Sequence, residues 1–170
     1  MVVDGIDCRI QEIRKYGFNP RFHSHKFHKA ALKYEVATCI NTGEVVWIHG
    51  PFPGGRHDLT IYRAGLKQQL RQGEMIWADG SYRGDATCVT KFQPGLSEEF
   101  LFEIKRARSR HETVNGRFTD WSALRDVYRH SPNKHHLIFY AVVMITNIEM
   151  YHGFCPFQCF SSHDSALLAT

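Results

Sequence analysis

The chain has 170 residues, 43% hydrophobic and 22% charged, a composition that suits one globular domain and excludes disorder throughout. Lysine and arginine outnumber aspartate and glutamate by 21 to 17, an excess that permits a polyanionic partner without requiring one. The longest apolar run, residues 137–145, is too short to cross a bilayer, so no membrane association is expected. The five cysteines contain no CxxC pair, which favours a reducing, intracellular compartment over a disulfide framework.

The first part of the chain has the alternation and turns that are typical of strands. Residues 1–10, 32–40 and 44–49 are predicted as strands. The last two are joined at residues 41–43, where asparagine and glycine suit a tight hairpin turn. Residues 21–29 are basic and rich in histidine, and we expect a loop or a hairpin edge there.

Prolines and glycines at residues 51–55 predict a break in the chain before a helix over residues 58–71. Residues 75–78 are apolar and predict a short strand that ends at Asp79. The sequence therefore places a carboxylate directly after a buried strand.

The spacing of apolar residues becomes helical after residue 97. Ser97 is followed by two glutamates, the pattern of a helix N-terminus. Leu124, Val127 and Tyr128 share one helical face, and a second face is formed by residues 137, 141 and 145. Strands followed by helices predict a mixed α+β or α/β domain. The segment from residue 150 loses this periodicity and is predicted as an irregular tail.

Three acidic residues occupy positions that acids usually avoid. Asp4 lies in an apolar strand, Asp79 ends a strand, and Glu112 lies in a basic helix. A buried carboxylate costs desolvation energy unless a partner compensates, and Mg²⁺ or Mn²⁺ prefers such hard oxygen ligands. A role in turns or helix caps is the alternative for each acid, because an aspartate after a strand is common in such positions.

Several ordered blocks of residues resemble those of a known family. The blocks are His25-Lys26-Phe27, Lys33-Tyr34-Glu35-Val36, Thr42-Gly43-Glu44-Val45-Val46-Trp47, Gly50-Pro51-Phe52-Pro53-Gly54, His57-Asp58-Leu59-Thr60-Ile61-Tyr62-Arg63, Ala78-Asp79-Gly80-Ser81-Tyr82, the run from Arg106 to Arg117, and Tyr128-Arg129-His130. Together they resemble the catalytic domain of DDE-type transposases, in the Harbinger-like DDE superfamily endonuclease group. The resemblance covers about residues 1–149 and leaves residues 150–170 as the tail.

This resemblance implies an RNase H-like α/β fold, in which helices flank a mixed sheet. It implies a metal-dependent DNA endonuclease that cleaves phosphodiester bonds and transfers strands, with Asp4, Asp79 and Glu112 as catalytic residues and ligands of Mg²⁺ or Mn²⁺. Asp58 is the rival for the second ligand. We favour Asp79 because it ends a strand, whereas Asp58 is placed to cap the following helix.

A cluster of cations surrounds the third acid, and the resemblance to a nuclease favours phosphate binding over a merely solvated helix face. Arg108 lies one turn before Glu112 and matches an arginine of the family, so it could orient Glu112 or contact a phosphate. The predicted DNA-binding residues are Lys105, Arg106, Arg108, Arg110 and Arg117.

The sequence also departs from the family pattern. Ser81 stands where the family usually has glycine, and Thr119 where lysine is common. Only three residues precede Asp4, so the resemblance implies a fragment without the family's N-terminal DNA-binding region. Such a fragment would rely on a separate DNA-binding protein or a homo-oligomer, and would act in the nucleus of a eukaryote. The alternative is an inactive, transposase-derived module that binds DNA or protein.

Overall fold

The computed structural model describes residues 1–12 and 19–157. The strands are β1 Val2–Arg9, β2 His23–Ser24, β3 Lys29–Thr38, β4 Val45–Pro53, β5 Ile76–Ala78 and β6 Cys88–Val89. The α-helices are α1 Asp58–Ala64, α2 Glu98–Asp120, α3 Ser122–Arg125 and α4 His135–Tyr151. Single 3₁₀ turns occur at Pro20–Phe22, Leu66–Gln69, Gly80–Tyr82 and Pro132–Lys134.

The strands form one mixed sheet in the order β2-β3-β1-β5-β6, with β4 paired to β3. β1 is antiparallel to β3 along its whole length and parallel to β5 on its other side. β5 is parallel to β6. Helices flank this mixed sheet, as in the RNase H-like α/β fold that the sequence predicted. β1 is the central strand of the sheet.

The two faces of the sheet are covered by different helices. One apolar cluster contains Cys8 and Val36 from the strands with Phe118 from α2 and Phe139 from α4. The aromatic ring of Tyr34 stacks on that of Phe139 with centroids 3.8 Å apart. The other cluster packs Val3 and Ala78 against Tyr62 of α1 and the neighbouring turns. Both layers contain several fully buried aromatic rings, which supply much of the apolar area that stabilises the fold.

β4 extends four residues beyond the strand predicted at 44–49 and includes both prolines of the segment 51–55. The prediction of a break at that segment was therefore wrong for residues 51–53. Proline cannot donate to a sheet, but β4 pairs with β3 alone among the described strands, and an edge strand tolerates proline.

The predicted start of α2 is confirmed, whereas two other predicted helical segments end earlier than expected. Ser97 caps α2 by accepting a hydrogen bond from the backbone of Phe100, as predicted. The helix predicted over 58–71 ends at Ala64 and continues as a separate 3₁₀ turn. The face assigned to Leu124 and Tyr128 is not helical throughout, because α3 ends at Arg125 and Tyr128 instead forms a bridge with Ile10 of the chain's first segment.

The described cysteines differ in their redox state. Cys8, Cys39 and Cys88 are free thiols, as the composition predicted. Cys155 is in a disulfide, so the expectation of free thiols is wrong at that position. No helix among the described residues is long and apolar enough to span a membrane. α4 continues two residues past the predicted end of the domain at residue 149, to Tyr151, and residues 158–170 of the predicted tail lie outside the described part of the chain.

Candidate active site

The register of two parallel strands brings the first two predicted carboxylates together. Val3 of β1 pairs with Ala78 of β5, and Asp4 and Asp79 are the next residues on their strands. They therefore occupy neighbouring positions at the end of β5, in the centre of the sheet. Asp79 directly follows β5, whereas Asp4 lies within β1 beside it.

Burial and charge perturb Asp4. Removal from water raises the pKa of Asp4 to about 6, and the backbone N–H of Gly5 opposes this by donating a 2.7 Å hydrogen bond. That value includes smaller contributions from the nearby carboxylates of Asp79 and Asp58, which also raise the pKa, and from the guanidinium of Arg108, which lowers it. Like charges without a compensating cation have this effect on a carboxylate.

Asp79 is held by its own local turn. Its carboxylate caps the 3₁₀ turn Gly80–Tyr82. One carboxylate oxygen, Oδ1, accepts hydrogen bonds from Ser81, at 2.7 Å from the backbone N–H and 2.5 Å from the hydroxyl. The hydroxyl bond exists because serine replaces the glycine that is usual in the family pattern at this position.

Asp58 is placed differently from the sequence prediction. His57, not Asp58, is the N-cap of α1, and its ring accepts from the backbone of Leu59. The prediction that Asp58 caps this helix was therefore wrong. The carboxylate of Asp58 instead forms a 2.8 Å ion pair with Lys33 and lies where a β-carbon on Gly5 would approach it to 2.8 Å.

Glycine at position 5 thus leaves room for Asp58 beside the central strand. Lys33 also lies 3.9 Å from Asp7, whose carboxylate accepts a short hydrogen bond from the Ser24 hydroxyl. Asp58 and Asp7 therefore share one lysine, and Asp58 contributes to the negative potential at Asp4. Asp7 and Lys33 are opposite each other in the β1–β3 register, a long-range pairing that no local sequence signal indicates.

The third acid lies on α2, which packs against β1 and β5. Two contacts fix α2 at this level of the sheet. The Thr38 hydroxyl and the His111 Nδ1 are 2.9 Å apart, and Arg110 donates to the Ile40 carbonyl at 3.3 Å. Burial, and next the charge of Arg108, lower the pKa of His111 to about 4, so its ring is neutral.

Glu112 follows His111 but points outward, with 68% of its side chain exposed. Its Oε1 lies 4.0 Å from the Arg108 guanidinium, and Arg108 also acts electrostatically on Asp4. Arg108 is thus near Glu112 and within electrostatic range of Asp4. The structure brings Asp4 and Asp79 together and places Glu112, with an exposed side chain, on the helix that packs against their strands.

The five predicted DNA-binding cations divide between two sides of α2. Lys105, Arg108 and Glu112 are spaced three and four residues apart and therefore share a face. Arg110 and Arg117 lie on the opposite side, where Arg110 covers the Phe157 ring and Arg117 lies 3.7 Å from Glu149. The fifth, Arg106, is exposed and pairs with Glu103 at 3.2 Å.

Two buried polar groups beneath the carboxylates were not identified from the sequence. Glu35 of β3, opposite Gly5 in the sheet, is 1% exposed and accepts from the Trp47 indole at 3.0 Å. Its second carboxylate oxygen has no hydrogen-bond partner, nor has the hydroxyl of the fully buried Tyr82. Burial, opposed by the Trp47 bond, raises the pKa of Glu35 to about 7.

The donor set fits a hard divalent cation in part. Asp4 and Asp79 offer adjacent carboxylates whose mutual repulsion a cation would offset. No group of three or more His, Cys, Asp or Glu side chains within residues 1–12 and 19–157 is arranged to hold a metal ion. Of the three predicted ligands, Glu112 is the one that does not join the Asp4–Asp79 pair, because its side chain is exposed on α2.

Comparison with known proteins gives a family-level result. Residues 3–147 match the family model described as DDE superfamily endonuclease. This range includes all three predicted catalytic acids, Asp58 and the basic part of α2. No curated protein and no solved structure matches the chain.

Proposed function

The chain belongs to the DDE superfamily endonucleases, and from this membership we propose that it is a metal-dependent DNA endonuclease of the transposase type. Its catalytic carboxylates would be Asp4, Asp79 and Glu112. The observation that carries the proposal is the adjacency of Asp4 and Asp79 on parallel strands, together with the raised pKa of Asp4. A carboxylate pair at the centre of a sheet is costly in the absence of a cation, which supports a binding role over a structural one.

Each side chain has a role that follows from its position. Asp4 and Asp79 would hold Mg²⁺ or Mn²⁺, and Glu112 would complete the ligand set by turning inward from α2. The bound metal would supply an activated water, or activate a DNA 3′ hydroxyl in strand transfer, and would stabilise the leaving oxygen. Arg108 is 4.0 Å from Glu112 and acts electrostatically on Asp4, and it would bind the phosphate once Glu112 turns inward.

DNA would approach along the exposed side of α2. Lys105 and Arg108 precede Glu112 on one face of α2, two turns and one turn before it, so they would contact the phosphates nearest the cleaved bond. Arg106, Arg110 and Arg117 lie outside this face, with Arg110 over Phe157 and Arg117 beside Glu149, so they would add to the positive potential of the helix as a whole. Phosphate contacts give affinity without sequence recognition.

A plasmid-nicking assay in Mn²⁺ tests the proposal. Asp4→Asn, Asp79→Asn and Glu112→Gln should each abolish nicking while the chain still unfolds cooperatively, because each variant removes a metal ligand and keeps the side-chain volume. Asp120→Asn, at the exposed end of α2, is the matched control and should nick like the unmodified chain. Full activity in Glu112→Gln would show that the third ligand is assigned wrongly.

The second candidate is an inactive module that binds DNA. It is favoured by the outward position of Glu112 and by the Ser81 hydroxyl on Asp79. Such a module should bind duplex DNA equally well in Mn²⁺ and in EDTA, and with all three acids replaced by their amides. Fluorescence anisotropy with labelled duplex DNA, measured beside the nicking assay, distinguishes the two functions.

A further inference from the structure

α4 is apolar on the side that faces away from the protein. Its buried face packs on the sheet and on α2, with Phe139, Val143 and Met150 in the core. The opposite arc is also apolar, and several of its side chains are more than half exposed. The exposed side chains of this arc, called the α4 stripe here, are Leu137 (61%), Tyr140 (38%), Met144 (59%), Ile145 (37%), Ile148 (54%) and Tyr151 (80%).

A helix that is apolar all round is normally buried on all sides. The α4 stripe contains no charged residue, and the acid at its edge, Glu149, faces Arg117 of α2 at 3.7 Å. Large contiguous apolar patches on a soluble domain mark interaction surfaces. The stripe therefore requires a partner surface that is apolar and elongated.

The last described residues of the chain do not cover the α4 stripe. After α4 the Phe157 ring packs against Gly43 and beneath the guanidinium of Arg110. That position is on the sheet side of α4, where Asn147 makes two 2.9 Å hydrogen bonds to the backbone of Val45. The path of the chain up to Phe157 leaves the stripe uncovered.

The spacing of the stripe is symmetric about Met144. Tyr140 and Ile148 lie four residues to either side of Met144, and Leu137 and Tyr151 lie seven residues to either side. Two copies of α4 packed antiparallel around a two-fold axis at Met144 would therefore place Leu137 against Tyr151 and Tyr140 against Ile148. A two-fold interface requires such self-complementarity, and antiparallel helix dipoles favour the arrangement.

We propose that the α4 stripe is the interface of a symmetric homodimer of this chain, with antiparallel α4 helices crossing at Met144. The exposed parts of the stripe and of the adjoining Phe154 present roughly 700 Å² per copy, close to the ~800 Å² per partner of a standard interface. The proposal is independent of the proposed nuclease function, because the stripe shares no residue with the carboxylate site.

Sedimentation equilibrium of the full chain at micromolar concentrations tests the interface. The unmodified chain should be a dimer, and Ile148→Glu should be a monomer because it places two buried like charges in the interface. Phe102→Glu is the matched control: Phe102 is 62% exposed on α2, and its replacement should leave the dimer intact. A monomeric unmodified chain, or a dimeric Ile148→Glu, would overturn the proposal.

Oxidative cross-linking tests the geometry without disturbing the fold. Met144→Cys places two thiols at the two-fold axis, where facing helices approach closely enough for a disulfide. It should give a covalent dimer on mild oxidation, beyond any formed by the native cysteines of the unmodified chain. Leu137→Cys should not, because antiparallel packing separates its two copies by about 21 Å. Cross-linking of Leu137→Cys but not Met144→Cys would contradict the antiparallel arrangement.

Discussion

At the scale of single residues, the environment of Asp79 depends on one hydroxyl group. The Ser81 hydroxyl donates to Asp79 Oδ1 at 2.5 Å, beside the backbone bond to the same oxygen. A carboxylate oxygen that already accepts two hydrogen bonds has less electron density available for a metal ion. The serine at this position therefore weakens the proposed metal site relative to glycine.

We predict that Ser81→Ala binds Mn²⁺ more tightly than the unmodified chain, by about 1 kcal/mol or fivefold in Kd, since one hydrogen bond to a charged group is removed. Isothermal titration calorimetry measures the difference. Ser109→Ala, which removes an exposed hydroxyl on α2, is the control and should not change the Kd. Equal or weaker binding by Ser81→Ala would show that the hydroxyl does not compete with the metal.

Glu35 gives a prediction for pH. Burial raises the pKa of Glu35 from 4.5 to about 7, so the folded state holds this proton more tightly than the unfolded state does. The free energy of unfolding therefore falls as pH rises from 4.5 through 7, by at most about 3 kcal/mol. Glu35→Gln removes this loss while keeping an oxygen to accept the Trp47 indole bond.

Urea unfolding at two pH values measures the effect. Glu35→Gln should be more stable than the unmodified chain at pH 8, and the gain should disappear near pH 4, where both states are protonated. Glu44→Gln, on the turn after β3, is the control and should show no such dependence. A constant difference between Glu35→Gln and the unmodified chain across this range would mean that Glu35 does not ionise within it.

At the scale of secondary structure, α2 carries Glu112 and all five proposed DNA-binding cations, and two polar contacts join it to the end of β3 and the residues after it. The Thr38–His111 contact joins it to the end of β3, at the strand position that pairs with Val2. Thr38 and His111 are both buried, so loss of one partner leaves the other unsatisfied. The position of Arg108 and Glu112 relative to Asp4 thus depends on this contact.

Thr38→Val should lower the free energy of unfolding by about 1–3 kcal/mol, because a buried ring nitrogen loses its partner while the side-chain shape is kept. It should also reduce the nicking rate by loosening α2 near Glu112. Chemical denaturation and the nicking assay check both effects. Thr113→Val removes an exposed hydroxyl bond within α2 and should change neither; if the two variants behave alike, the contact does not position the helix.

At the scale of the whole molecule, the sequence predicted the fold well where the signals were local. Alternation identified β1 and β3, the Asn-Thr-Gly turn identified the hairpin of β3 with β4, and Ser97 marked the start of α2. Local signals also placed Asp4 in a strand and Asp79 directly after one, but their adjacency depends on the parallel pairing of β1 with β5, which no local signal predicted.

What the sequence did not predict depends on tertiary contacts. Local turn chemistry could not show that β4 lies at an edge, where its prolines are tolerated. Helical periodicity placed residues 137, 141 and 145 on one face of α4 but could not show that this face is the exposed one. The ion pair of Asp58 with Lys33 joins residues 25 positions apart, and no local pattern indicates it.

The most direct measurement of the central claim is the thermal unfolding midpoint with and without Mn²⁺. A metal that binds only the folded state raises the free energy of unfolding, by about 2.7 kcal/mol at a metal concentration of a hundred times Kd. The midpoint temperature rises as a consequence. We predict a rise for the unmodified chain that is lost in Asp4→Asn and in Asp79→Asn and is retained in Asp58→Asn. A midpoint that does not respond to Mn²⁺, or a response lost in Asp58→Asn and kept in Asp79→Asn, would contradict the assignment of the site.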